Sequence, residues 1–431
     1  MKKFISVAAL TVALGVGGNV GASGEEEPAA PDVSAAPAAP DVQGMLQQMQ
    51  QRINELEGEV SRLKEGAGEG ESGEAENGIM DLTNRVESLE GGLLGLNGFQ
   101  FGGLVYGSYN YNFNSPDSGS NNMRIFDQNH NDFTMDLLQL EVSKETESGV
   151  GFHAVLDYGE TAGLIQSDWG GDLAHNFEVQ QAYMTYTFGI GNGIEMKFGK
   201  FATLLGGEVI ESPYNPNVSR SFMFGYAIPF THTGVLFSTA LNDNISLTAG
   251  VVNGWDNVRD NNNGKTFLGS LGLEFGDLAW TFNGVFGAED DDSGSSKTGV
   301  FDTVLTYSPM ENVDLLANFD YGTASEQVGG DDANWTGLSG IVTLGGGLLD
   351  ESLADWSFAL RGEWFSDPDG YRTGIEQDLR EVTGTFKWQM TENLQARLEF
   401  RHDWSNKDVF HDGGGYSDDQ DSMIVEFAYL M

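Results

Sequence analysis

Residues 178–193 read EVQQAYMTYTFGIGNG, an alternating segment that ends in a glycine-rich turn. Its apolar side chains recur at every second position: Ala182, Met184, Tyr186 and Phe188. Polar residues stand between most of them. A period of two places the two sets on opposite faces of a β-strand, so that one face is apolar and the other is polar and contacts water. The segment therefore predicts a strand with two different environments, followed by a tight turn.

Short and long connections alternate from Phe99 to Met431. The tight turns are Thr146–Gly149, Gly189–Gly193, Leu241–Asn244, Phe275–Asp277, Pro309–Asn312 and Thr391–Asn393, with a longer one at Gly345–Ala354. The long polar connections are Asn114–Asn131, Glu160–Ala174, Thr203–Ile228, Trp255–Gly264, Glu289–Lys297, Thr323–Trp335, Phe365–Asp378 and Ser405–Gln420. This rhythm predicts an all-β fold, a transmembrane antiparallel β-barrel of about 16 strands. A misread connection at Gly345–Ala354 or Ser219–Pro229 would make the count fourteen or eighteen.

A soluble β-sandwich also alternates, but two features favour the membrane barrel. A soluble barrel keeps its apolar face inside and rarely needs sixteen strands, whereas a wide barrel around a polar lumen needs the opposite arrangement. Aromatic residues typical of interfacial girdles stand near strand ends: Tyr106, Tyr109, Tyr111, Phe113, Trp388 and Trp404. No stretch of eighteen apolar residues occurs in the sequence, which argues against spanning helices.

The first hundred residues divide into three predicted segments. Residues 1–24 form a signal peptide, with Lys2 and Lys3 before an apolar run and small residues at the cleavage site. Residues 25–41 are rich in Ala and Pro and acidic at their start, which predicts a disordered spacer. Residues 42–98 form a short helical coiled-coil segment in the periplasm, with a Gly- and Glu-rich break at 66–78. The barrel occupies 99–431.

The coiled-coil prediction depends on heptad spacing before that break. Apolar residues follow one another at steps of 3, 4, 3, 4 and 3: Leu46, Met49, Ile53, Leu56, Val60 and Leu63. Such a seam joins identical subunits, and β-branched residues at one core position with leucine at the other favour a dimer. Similarity to large porins would instead favour a trimer. An amphipathic helix lying against another surface remains the alternative.

Charge and residue usage narrow the possible functions. The chain has 65 acidic and 21 basic residues, of which 49 and 15 lie in 99–431. Such a field attracts cations and repels nucleic acid. The chain has no cysteine, its six histidines show no metal-ligand spacing, and no G-x-S-x-G motif occurs. We therefore expect no cofactor, no metal site, no nucleic-acid partner and no enzymatic activity.

The third long connection is the candidate for a pore constriction. It carries Glu208, Glu211, Tyr214 and Arg220. Carboxylates opposed to a guanidinium across a narrow lumen would sort solutes by charge. The alternative is an extracellular loop with a surface salt bridge at Arg220. An anion-selective pore would need a row of arginine and lysine side chains along the lumen, and fifteen basic residues distributed over sixteen strands would not form one. The sequence therefore favours a pore that prefers cations.

Several uncommon short sequence motifs occur in order along this region. They are Tyr109–Asn114, Arg124–Asp127, Gly199–Phe201, Glu208–Ser212, Ser219–Ser221, Tyr226–Gly234, Val251–Asn257 and Asp260–Asn262. In these motifs the chain resembles the putative β-barrel porin-2, OmpL-like family of bacterial outer membranes. The resemblance spans most of 99–431 and is strongest from 199 to 264. It implies an outer-membrane porin and names no solute.

The hypothesis with most support is therefore a water-filled channel in the outer membrane. Small hydrophilic solutes or ions would diffuse through it passively, with outer-membrane lipid around the barrel. Two alternatives stay open. The chain could be a structural protein tethered through its periplasmic coiled coil, or a barrel sheath for a partner cytochrome.

Overall fold

A computed structural model describes residues 98–167, 175–290, 294–328 and 330–431. The predicted signal peptide, spacer and heptad segment, including Leu46–Leu63, lie outside the described residues. Within the described ranges the strands form one closed antiparallel barrel and one two-stranded hairpin. The predicted sixteen-stranded barrel is confirmed.

The barrel strands follow the chain order around the ring. They are β1 (Phe99–Asn112), β2 (Asp132–Glu145), β3 (Val150–Tyr158), β4 (Phe177–Phe188), β5 (Ile194–Ala202), β6 (Thr231–Asn242), β7 (Ile245–Val252), β8 (Thr266–Phe275), β9 (Leu278–Gly287), β10 (Thr298–Met310), β11 (Val313–Val328), β12 (Asp331–Gly345), β13 (Trp356–Asp367), β14 (Gln377–Gln389), β15 (Leu394–Ser405) and β18 (Asp419–Leu430). The hairpin consists of β16 (Phe410–Asp412) and β17 (Gly415–Ser417) and lies in the last long connection.

Closure joins the last strand to the first. Strand β18 pairs with β15 on one side and with β1 on the other, where Tyr109 lies opposite Val425 and Leu104 opposite Leu430. A closed ring leaves no sheet edge, so each strand's backbone groups are paired within the sheet. This is the condition for a sheet to cross a bilayer.

The two faces of the strands separate as the alternation predicts. On β4, Met184 and Tyr186 point outward and are exposed, whereas Tyr183, next to Met184, is buried inside. On β2, Leu138 and Leu140 are exposed on the outer face and Gln139 is buried on the inner one. The apolar outer face suits lipid and the inner face is largely polar. Tyr106 departs from the predicted aromatic girdle, because its hydroxyl is buried among polar groups inside the barrel.

One predicted loop is wrong. The sequence predicts a long loop at Thr323–Trp335, but β11 continues to Val328 and β12 starts at Asp331. The buried pair Ala324 and Ala333 lies in register between them. Polar composition suggested a loop, yet antiparallel pairing satisfies the backbone of both strands, so polar side chains do not prevent strand extension here.

Short helical turns occur only within connections of the described part. They are helix α1 (Glu160–Leu164), helix α2 (Phe222–Tyr226) and the 3₁₀ turns Ser212–Tyr214, Gly346–Leu348 and Glu351–Leu353. Among the residues that the structure describes, no helix combines the length and hydropathy needed to cross a membrane.

Candidate functional site: the third long connection

The connection between β5 and β6, residues 203–230, folds into the barrel and is called L3 below. Its Glu211 carboxylate accepts hydrogen bonds from Gln139 on β2 and Gln180 on β4. On the far side, Trp335 on β12 donates to the carbonyl of Ala227 at 3.1 Å. Strands β2–β4 and β10–β12 lie on opposite sides of a sixteen-membered ring. L3 therefore crosses the lumen from wall to wall.

Local sequence determines how L3 turns. Ser221 caps helix α2, because its Oγ accepts a hydrogen bond from the Phe224 N–H at 3.1 Å. Two further free N–H groups of this helix, those of Phe222 and Met223, donate to the Glu363 carboxylate of β13. The helix start is thus held by one wall of the barrel. Gly206 has φ +92°, a left-handed conformation that favours glycine.

An apolar cluster fixes the same segment inside a mostly polar barrel. L3 contributes Leu205, Ile210, Phe222, Met223, Phe224, Ala227 and Ile228. The wall contributes Leu236, Val252, Leu268, Val285, Val300, Trp335, Phe365 and Leu379. These wall residues lie on inward positions toward the long-loop end of their strands. Burial of this cluster gives L3 a hydrophobic core of its own, so it is an integral part of the barrel interior.

Glu208 contacts the wall and not open solvent. Its Oε1 accepts a 2.7 Å charged hydrogen bond from Nη1 of Arg361 on β13, and its Oε2 accepts from the Ser221 N–H at 3.0 Å. Arg361 also donates through Nε to Glu381 of β14 at 2.6 Å. Glu208 is therefore part of the attachment of L3 to β13.

Arg220 lies on the same buried side and is only 7% exposed. Its guanidinium donates to the carbonyls of Val218 and Ile210 and to the Tyr106 hydroxyl. It stacks over the Phe126 ring, 4.5 Å from the centroid. Within the described ranges it forms no ion pair with a carboxylate, so the surface salt bridge considered for Arg220 is not present there.

Glu211 and Tyr214 lie toward β2–β4, on the other side of L3. Two amides join Glu211 to Asp157 of β3: Gln139 donates to both carboxylates at 2.8 and 3.0 Å, and Gln180 at 2.6 and 3.1 Å. Tyr214 is 57% exposed. Partial burial and the carboxylates of Glu211 and Glu141 raise the pKa of Tyr214, so its hydroxyl stays neutral. This edge of L3 combines a carboxylate with a hydroxyl that solvent reaches.

The sequence interpretation missed an arginine wall, defined here as Arg361, Arg397 and Arg401. All three are fully buried on inward positions of β13 and β15. Arg361 and Arg401 flank Thr383 in the strand register, so they lie in one row. Basic residues are thus concentrated on one wall instead of distributed evenly. The spacing of Arg397, Glu399, Arg401 and Asp403 on alternate positions was the available signal.

The arginine wall holds the backbone of L3. Arg361 donates to the Ser219 carbonyl at 2.6 Å, and Arg401 donates to the Arg220 carbonyl at 2.6 Å. Arg397 donates to the carbonyls of Asn215 and Asn217. Each guanidinium also pairs with wall carboxylates: Glu381, Glu426 and Asp403. Charge on this side is therefore compensated and removed from water.

Comparison with known proteins identifies the family of this barrel. The model of the family described as "Putative beta-barrel porin-2, OmpL-like" matches residues 98–431. No curated protein matches the chain in sequence.

Solved structures with a similar fold include several outer-membrane proteins. OmpT of Vibrio cholerae aligns with a TM-score of 0.52 at 12% identity, covering 77% of this chain and 97% of that one. An anion-selective porin from Comamonas acidovorans gives 0.52 at 10% identity, with 77% and 99% covered. Salmonella typhi OmpF in complex with daunomycin gives 0.51 at 12% identity, with 77% and 97% covered. At these identities the likeness establishes the fold.

Proposed function

Because the chain belongs to the putative β-barrel porin-2, OmpL-like family, an outer-membrane channel family, we propose that it is a diffusion porin. Small hydrophilic solutes or ions would pass L3 down their gradients, without a chemical step. The observation that carries this proposal is the position of L3. It crosses the lumen, is anchored on both sides, and leaves a solvent-accessible polar edge at Tyr214.

The charge at that edge supports a cation preference as part of the proposal. Glu211 is half-buried there, and the Glu141 side chain on the neighbouring wall is 36% exposed. The arginine wall is buried behind L3 and paired with carboxylates. Lys387 on β14 is half-buried on the inner face, opposite Arg397. Because its positive charge opposes that of the carboxylates, we expect the preference for cations to be moderate. Accessible charge, and not total charge, determines which ions are attracted.

The same proposal gives the protein an orientation and an assembly. The long-loop rim would face the cell exterior, as in other outer-membrane barrels, and the segment before the barrel would lie in the periplasm. The seam Leu46–Leu63 would join identical subunits in a trimer or a dimer. Chemical cross-linking of the mature protein and of a variant lacking 42–63 tests this. Loss of the cross-linked oligomer in the truncated variant alone is the expected result, and an unchanged oligomer would contradict it.

Reconstitution tests the channel itself. We expect the purified mature protein to give stable open steps in planar lipid bilayers, with the current proportional to KCl concentration. Folded protein without conductance would contradict the porin. It would then favour the structural tether, or a cytochrome sheath if a haem protein co-purified with the barrel.

A further inference from the structure

A small cavity lies where the first long connection meets L3. The first connection contributes residues 123–127, L3 contributes Arg220, Ser221, Phe222 and Tyr226, and the wall contributes Arg401. Its volume of about 10 Å³ is room for one small occupant, a water or a monatomic ion. Three arginines line it, Arg124, Arg220 and Arg401. Asp127 lines the same cavity, and its carboxylate pairs with Arg124.

Arg220 is the cation that lacks a direct ionic contact, although the Asp136 and Glu426 carboxylates act on its charge from further away. It forms no ion pair within the described ranges, and its Nε has no hydrogen-bond partner although the atom is buried. The Glu426 carboxylate is already engaged by Arg397 and by the Ser212 hydroxyl. A guanidinium removed from water without a paired anion is costly, so an occupant with negative charge would stabilise this site.

Arg401 offers a second free donor at the same cavity. Its Nε donates to Asp403 and its Nη1 to L3, whereas the buried Nη2 has no partner. Asp403 is itself shared with Arg124, which also pairs with Asp127. Both carboxylates next to the cavity are therefore used by guanidinium groups already, and the free N–H groups of Arg220 and Arg401 remain.

Ring stacking directs these donors. Arg220 lies over Phe126 at 4.5 Å and Arg401 over Phe222 at 4.7 Å. Stacking occupies the faces of a guanidinium and leaves its N–H groups available in the plane. The donors therefore remain open to an acceptor at their edges.

We propose that this cavity binds one small monovalent anion of chloride size, which serves as the counter-ion of Arg220 and joins the first connection to L3 and β15. A volume this small favours a monatomic anion over phosphate, sulfate or an organic carboxylate. The site is separate from the edge at Glu211 and Tyr214, so it does not depend on the direction of pore selectivity.

Bromide provides the direct test, because it replaces chloride and scatters anomalously. Crystals of the full mature protein grown in NaBr should show an anomalous peak in the cavity, within hydrogen-bonding distance of the guanidinium groups of Arg220 and Arg401. An empty cavity, or density without anomalous signal that fits a water, would overturn the proposal.

Thermal unfolding provides an independent measurement in solution. At fixed ionic strength, exchange of gluconate for bromide should raise the unfolding temperature of the wild type. The control Arg380→Gln removes an arginine from the outer face and should keep that increase. Arg220→Gln should lose it. An equal bromide effect in Arg220→Gln and wild type would contradict the site. If Arg220→Gln does not fold, the bromide crystal of the wild type decides.

Discussion

Arg361 on β13 and Glu208 on L3 are joined by a 2.7 Å charged hydrogen bond, with both side chains buried. Their positions are 153 residues apart in sequence. Arg361 also binds Glu381 and the Ser219 carbonyl. One guanidinium thus connects the barrel wall to a side chain and to the backbone of L3. We therefore expect the position of the loop that crosses the lumen to depend on this contact.

Arg361→Gln should release L3 from β13 while the barrel remains closed. Removal of the guanidinium leaves the negative charges of Glu208 and Glu381 buried and less well paired. For buried pairs, such a loss lowers the free energy of unfolding by about 3–5 kcal/mol. We expect noisier and larger single-channel steps, with normal heat-modifiable migration of the barrel on gels. The control Arg380→Gln, on the outer face, should leave the current trace unchanged. Quiet steps of wild-type size in Arg361→Gln would show that L3 does not depend on the pair.

Trp335→Ala should loosen L3 from the opposite wall. The Trp335 side chain is fully buried in the cluster with L3, and its indole N–H donates to the Ala227 carbonyl. Truncation of a buried tryptophan costs about 3–5 kcal/mol. Proteolysis of L3 in detergent should become faster. The matched control is Trp364→Ala, since Trp364 lies on the outer face and is 36% exposed. Equal cleavage rates in the two variants would argue against the cluster as an anchor.

Asp256 should make the stability of the long-loop rim depend on pH. It lies between β7 and β8, where its Oδ1 accepts hydrogen bonds from the N–H groups of Phe230 and Thr231 at 2.8 Å. Burial raises the pKa of this carboxyl to about 6, against the lowering effect of those two hydrogen bonds. Because the pKa is higher in the folded state, the contribution of Asp256 to the free energy of unfolding is fully present below about pH 3.8, the ordinary pKa of the carboxyl. It is lost as pH rises through about 6.

Asp256→Asn keeps the acceptor oxygen and removes the titration. We therefore expect the wild type to lose stability relative to Asp256→Asn between pH 4 and pH 7, by roughly 2–3 kcal/mol. Chemical unfolding of both proteins across this range measures the difference. Parallel pH profiles would contradict the assignment.

Strand positions could be predicted from the sequence because the evidence for them is local. The alternation on β4 and the turn Gly189–Gly193 both require only neighbouring residues, and the turn lies between Phe188 and Ile194 as expected. The segment Thr323–Trp335 failed because strand pairing, and not composition, decides whether polar residues extend a hairpin. The short sequence motifs shared with the family correctly indicated the class of barrel.

The environment of each L3 side chain could not be predicted in the same way. Glu208 and Glu211 are three positions apart, yet one pairs with Arg361 on β13 and the other accepts from Gln139 on β2. Which wall a loop side chain reaches depends on how L3 crosses the barrel. That path follows from contacts between residues 31 to 153 positions apart, for which sequence spacing contains no information.

Reversal potential across a KCl gradient tests the central claim most directly. In planar bilayers the wild type should show a cation-selective reversal potential, because Glu211 and Glu141 supply charge at the accessible edge of L3. Glu211→Gln should shift the reversal potential toward zero. Glu311→Gln removes the same charge from the turn between β10 and β11 and should leave it nearly unchanged. Equal reversal potentials in wild type and Glu211→Gln would contradict the claim that solutes pass this edge of L3.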